Sequence, residues 1–167
     1  MTDDARSEIL ERLIASHSAA LLLYARQWGD ARAEDVLQKA FVRFVRKMDE
    51  IDRPIAWLYK VVRNEAITAA RSESRRKRRE ASTAELRADW FIRRDDDQID
   101  GRMAAEQLKT LPLDQREIVA ARIWGGLPFA EIAKLTGRSK SAVHRDYQTA
   151  LSALKKHFID ADVTTDC

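Results

Sequence analysis

The sequence predicts an all-α protein: two small helical domains joined by a polar linker. Three observations lead there. Glycine and proline are scarce, five and three in 167 residues. No segment alternates apolar and polar residues with a strand's period of two. Apolar residues recur instead at three- and four-residue spacings over 1–80 and 103–160, and that rhythm fades over 81–102.

Bulk properties narrow the function. The net charge is +3 and the pI about 9.1, a mild basicity that says less than a local basic run would. The single cysteine, Cys167, cannot form an internal disulfide, and it shows no metal-ligand spacing with His17, His144 or His157. No acid, base, nucleophile or metal-ligand cluster stands at a working spacing, so neither an enzyme nor a cofactor is expected. The opening MTDDARSE does not look like a signal peptide, and the longest apolar run, Ala19–Ala25, is too short to span a bilayer. A cytoplasmic protein without membrane insertion is expected.

The first helix is read from about Asp4 to Trp28, with Ile9, Leu10, Leu13, Ile14, His17, Leu21, Tyr24 and Trp28 on one stripe. His17 lies on that stripe, so it reads as a packing residue rather than a ligand or base. Gly29 and Asp30 break the pattern. The second helix, Ala33 to Met48, buries Val36, Leu37, Ala40, Phe41, Phe44 and Met48. Glu34, Asp35, Gln38 and Lys39 stand near its start, where acidic side chains suit the helix dipole in any case.

After the connector Asp49–Arg53, Pro54 opens a third helix reaching about Arg79. Ile55, Leu58, Val62 and Ile67 can face a core. Trp57, Tyr59, Lys60, Arg63 and Asn64 put aromatic, cationic and amide groups within two turns, and the helix runs on into RSESRRKRRE, 71–80. An aromatic pair is more often core and a basic run more often a solvated face. Together on one helix they suit unpaired nucleic acid, whose bases stack on rings while cations track phosphates.

The stretch 81–102, ASTAELRADWFIRRDDDQIDGR, changes charge sign and reads as the linker. Its Trp90–Phe91 pair suits docking on a partner or packing on either domain equally. Helices are expected from Met103 and over Gln115–Trp124, the latter carrying Ile118, Val119 and Ile123 and ended by Gly125 and Gly126. Then comes LPFAEIAKLTGRSKSAVHRDYQTALSALKKHF, Leu127 to Phe158. Phe129, Ile132, Ala133 and Leu135 make one apolar side, Gly137 suits a left-handed helix end, and Ser139 suits an N-cap. Val143, Tyr147, Ala150, Leu151, Leu154 and Phe158 form the buried stripe of the next helix. This is the layout of a helix-turn-helix, whose second helix can enter a major groove with Lys140, Ser141, His144, Arg145 and Gln148. Asp146 would repel phosphate if it pointed at DNA. An ordinary helical hairpin would show a similar stripe.

The chain resembles a bacterial RNA polymerase sigma factor of the sigma-70 family, in its two-domain extracytoplasmic-function (ECF) form. AEDVLQKAFVRF (33–44) is similar to the family's polymerase-binding segment, RPIAWLYKVVRNEAI (53–67) to its promoter-melting segment, and 108–151 to its fourth region. The three stand in the family's order. The resemblance implies that Asp35, Gln38 and Phe41 lie at or support the contact with core RNA polymerase, through its β′ and β subunits. It implies that Trp57, Tyr59, Lys60, Arg63 and Asn64 border the opened minus-ten strand, while Arg71, Arg75 and Arg76 hold neighbouring phosphates. Lys140, Ser141, His144, Arg145 and Gln148 would face the minus-thirty-five groove. An anti-sigma protein is implied as a further partner. The chain departs from the family in a short connector, Asp49–Arg53, in Lys39 where an acidic residue is usual, and in a second helix poor in arginine. The competing reading, a stand-alone helix-turn-helix regulator, explains the C-terminal half but not Trp57 to Asn64. On the sigma reading, two tethered bodies grip one promoter, one on paired bases and one on unstacked bases.

Overall fold

The structure is a computed structural model that describes residues 2–80 and 105–164, with side chains described as far as His157. The linker pair Trp90–Phe91 and the Phe158 side chain lie outside the described residues. Every element described is helical.

Helix α1 (Asp3–Arg26) starts on Thr2, whose Oγ1 accepts the Ala5 N–H at 3.3 Å. Its last turns bury Leu21, Leu23, Tyr24 and Ala25. Helix α2 (Ala33–Lys47) buries Ala33, Val36, Ala40 and Phe44, one face at three- and four-residue steps, and passes into a 3₁₀ turn at Met48–Glu50. Helix α3 (Pro54–Glu80) is about 40 Å long at 1.5 Å per residue. Its first half buries Leu58, Tyr59, Val62 and Ala66 against α1 and α2, and its basic second half is exposed.

In the C-terminal half, a helical turn at 105–108 leads to helix α4 (Leu113–Val119), which continues as a π-helical turn over Ala120–Trp124. The sequence predicts an ordinary helix over Gln115–Trp124. The difference lies in the wider turn, closed by the Gly125 N–H donating to Ala120 O at 3.2 Å and the Leu127 N–H donating to Ala121 O at 3.1 Å. Helices α5 (Phe129–Thr136) and α6 (Lys140–Thr164) complete the unit.

The two halves share one apolar core. Leu21, Tyr24, Val36, Phe44, Leu58, Tyr59 and Val62 are continuous with Ile118, Ala120, Ala121, Leu127, Ile132 and Val143. A smaller cluster adds Leu23 of α1 to Leu108, Leu111, Val119 and Ala150. The two helical domains expected from sequence are therefore also packed on one another in this state. Glu117 of α4 meets Tyr24 of α1 and Arg63 of α3, and the π-helical turn packs on α1, so this face is not covered by its own unit alone. Periodicity tells that a face is apolar; it does not tell which neighbour covers it. Among the described residues no helix is long and apolar enough to cross a membrane.

Candidate nucleic-acid interface

The turn between α5 and α6 is built as its residues require. Gly137 takes φ 68°, and both its own N–H and that of Arg138 donate to Ala133 O, so the helix end is satisfied. Ser139 Oγ accepts the Ala142 N–H at 3.2 Å and caps α6. Ile132 and Val143 are fully buried between the two helices. Phe129 stands edge-on to His144 and to Tyr147, each at 5.2 Å between ring centroids. This packing leaves Lys140, Ser141, His144, Arg145 and Gln148 exposed. Asp146 forms an ion pair with Arg138 and is partly buried, which ties its carboxylate to the turn.

On α3 the predicted set divides. Lys60 and Asn64 are exposed, and Trp57 is half-buried with its ring 6.0 Å from Phe44. Tyr59 is fully buried, 4.9 Å from the Tyr24 ring, and Arg63 is engaged by the C-terminal unit. In this arrangement the five residues do not share one exposed surface. The reason is helical geometry. Residues 57, 60 and 64 step by three and four along one face, while 59 and 63 stand on the next. Beyond them Arg71, Arg75 and Arg76 are exposed. Arg76 donates to Glu73 at 2.6 Å and, first among the nearby cations, holds that carboxyl below its usual range.

On α2, Asp35 and Gln38 are exposed and Phe41 is half-buried against the core. Beside them Val42 and Val45 are 51% and 45% exposed, an apolar pair that sequence reasoning missed. The available signal was their absence from the helix's buried stripe: 38, 42 and 45 share another face.

Between the halves lies a polar seam. Glu117 is 4% exposed and accepts from Arg63 through Nε at 3.0 Å and Nη2 at 3.2 Å. The Tyr24 hydroxyl donates to the same carboxylate at 3.4 Å. Arg63 also lies 6.0 Å over the Trp28 ring. At the edges Arg116 donates to Gln27 O at 3.3 Å, and Arg53 pairs with Glu131. Gly125 sits against Tyr59: a Cβ there would lie 2.5 Å from the tyrosine oxygen and 2.5 Å from Ala121 O. Among the described residues the Tyr59 hydroxyl has no hydrogen-bond partner.

Burial pushes the Tyr24 and Tyr59 phenols upward, with the Glu117 charge adding to the effect on Tyr24. A raised acid pKa means the folded state favours the protonated form. That stabilisation is complete below the ordinary value of 10.0 and is lost as pH rises above it. In an alkaline titration, the tyrosinate absorbance of Tyr24 and Tyr59 is expected to rise together with unfolding. Ionisation of both at pH 10 in a chain still folded by circular dichroism would contradict their burial.

No curated protein matches the chain. Among solved structures it resembles the sigma factor RpoE from Bartonella quintana, solved with the anti-sigma factor NepR. The TM-score is 0.70 at 21% identity, covering 93% of this chain and 96% of that one. It also resembles CnrH, solved with the cytosolic domain of CnrY, with TM-score 0.60 and 25% identity over 93% of this chain and 90% of that one. The family description "Sigma-70 region 2" matches residues 13–76, and "Sigma-70, region 4" matches 102–154. With both regions in order and most of the chain between them matched, this protein belongs to the sigma-70 family of RNA polymerase sigma factors, in the two-region layout of its extracytoplasmic-function group.

Proposed function

We propose that this chain directs core RNA polymerase to its promoters through three of its own surfaces. Residues 1–80 bind core polymerase and the minus-ten element, 81–102 act as the linker, and 103–160 read the minus-thirty-five element. The observation that carries the reading is the α6 face, where Lys140, Ser141, His144, Arg145 and Gln148 are exposed beside a satisfied turn. A helix so presented fits the major groove, where side chains meet base edges. On α2, the exposed Asp35 and Gln38, supported by Phe41, fit a contact with core polymerase, and Val42 and Val45 add apolar area to it. On α3, Trp57, Lys60 and Asn64 face outward to varying degrees and support a role at unstacked bases, with Arg71, Arg75 and Arg76 along the phosphates. Tyr59 and Arg63 join that surface when the two halves part. The chain itself forms no covalent bond; the polymerase does the chemistry in the cytoplasm. Because one structural relative was solved with the anti-sigma factor NepR, an anti-sigma partner belongs to the proposal.

Promoter opening tests the reading. With core polymerase, permanganate footprinting is expected to reveal reactive thymines around minus ten, and Asn64→Ala should reduce them more than it reduces closed-complex formation. A stand-alone regulator would instead shift duplex DNA without core enzyme and open nothing. Arg145→Ala is expected to weaken minus-thirty-five readout by about 1–3 kcal/mol if the guanidinium meets a base edge. Unchanged promoter choice would remove Arg145 from that surface.

A further inference from the structure

Two features of the C-terminal half have no part in the surfaces proposed above: the π-helical turn and the aromatic contact made by α6. They meet at Phe129. The turn carries Arg122, whose Nη1 donates to Leu127 O at 3.0 Å. The same guanidinium lies over the Phe129 ring, 4.4 Å from its centroid. Phe129 packs on His144 at 5.2 Å between centroids, with the ring planes 76° apart. His144 is exposed on the groove-facing side of α6, while Phe129 and Arg122 are half-buried. We infer that His144 is the side chain of α6 that sets base specificity, through an N–H that meets a purine N7, and that Phe129, braced by Arg122, is its positioning residue.

A base edge is read well by a side chain already held in place. Lys140, Arg145 and Gln148 share the exposed face, but they are long, and fixing any of them at a base costs rotamer entropy on binding. His144 has two side-chain torsions, and a ring already limits them, so most of that cost falls before DNA arrives. Phe129 is itself held twice, by the Arg122 guanidinium and by Tyr147, edge-on at 5.2 Å. The wider winding of the π turn shifts the register of the side chains it carries, Arg122 among them, and such turns recur at functional sites. A neutral imidazole offers one N–H donor and one acceptor nitrogen. Both purines present an N7 acceptor in the major groove, whereas cytosine offers an amine and thymine an O4 beside a methyl group. A positioned imidazole N–H therefore separates purine from pyrimidine on one strand without separating guanine from adenine.

The inference rests on the reading that the α6 face meets the minus-thirty-five duplex, and the experiment separates the two. Full-length variants are assembled with core polymerase and select promoters from a library randomised at minus thirty-five, with the wild-type holoenzyme as reference. His144→Ala, at an exposed position, is expected to lose about tenfold of the purine-over-pyrimidine preference at one base pair and to keep the preferences elsewhere. Phe129→Leu is expected to lose about threefold at that same base pair. Phe129→Tyr, which keeps the ring, should restore it. Arg122→Met keeps an apolar stem and should act at the same base pair, in the same direction as Phe129→Leu. A merely structural role would weaken every base pair of the element together, and that pattern in Phe129→Leu and Arg122→Met would overturn the positioning role. If Arg145→Ala changes promoter choice while His144→Ala leaves it unchanged, the face reads the element and His144 does not set its specificity. If neither variant alters any minus-thirty-five preference, the reading of the face falls and this inference falls with it.

Discussion

Tyr59→Ala is expected to cost the chain about 3–5 kcal/mol of stability, as large-to-small changes at buried aromatic positions do. The ring is fully buried, leans on Tyr24 at 4.9 Å and fills the space that Gly125 leaves open. Removing it empties a site walled by three helical elements and lets the two halves loosen. Urea unfolding with one midpoint measures the loss, and a midpoint equal to wild type would contradict the packing. Tyr59→Phe makes the argument sharper. The hydroxyl has no partner among the described residues, so its removal should shift stability by less than about 1 kcal/mol, in either direction. The same pair of variants bears on function. Loss of promoter opening by Tyr59→Ala mixes unfolding with any lost stacking, whereas Tyr59→Phe keeps both the ring and the fold. Only a defect in the phenylalanine variant would point to the hydroxyl itself.

The elements were legible where a local rule fixes them. Ala33 to Met48 and Pro54 to Arg79 fall within a residue or so of α2 and α3, because an apolar face at helical spacing and a proline start are local signals. Gly137 and Ser139 perform the end and the cap that their chemistry suggested. The π turn at Ala120–Trp124 carried no comparable mark: AARIW reads as ordinary helix, and the wider winding is closed by backbone bonds to Gly125 and Leu127.

The site was less legible than the fold. Trp57, Tyr59, Lys60, Arg63 and Asn64 are neighbours in sequence, yet a helix turns about 100° per residue, and that alone separates 59 and 63 from 57, 60 and 64. The separation could have been read without a structure. The burial of Glu117 could not. It stands 54 residues from Arg63, and no local pattern distinguishes a carboxylate that will bridge two halves from one that will face water. Asp146 illustrates the opposite case. Its sequence position suggested a clash with phosphate, but Arg138, on the turn before it, holds it as an ion pair.

Glu117→Ala is expected to cost roughly 3 kcal/mol, toward the lower end of what breaking a buried pair costs. The carboxylate is almost wholly buried, while the Arg63 side chain keeps about a quarter of its surface in water and can recover part of its solvation. The Tyr24 hydroxyl loses its acceptor as well. Removing one partner is costly because the other is left uncompensated; removing both is a different experiment. Glu117→Leu with Arg63→Met fills similar space with apolar groups, and such replacements of buried ion pairs are often neutral or stabilising. The double variant should therefore unfold within about 1 kcal/mol of wild type, well above the Glu117→Ala chain, and a double-mutant cycle would assign the difference to the pair. A double variant as weak as the single would mean that apolar groups do not replace the pair and that the charges and their hydrogen bonds contribute net stability to the seam. Function supplies the second half of the comparison. The double variant lacks the guanidinium proposed to meet the opened strand, so it should fold well, bind core polymerase and open promoters poorly. Opening would then be lost while stability is kept, which a purely structural role for Arg63 cannot produce.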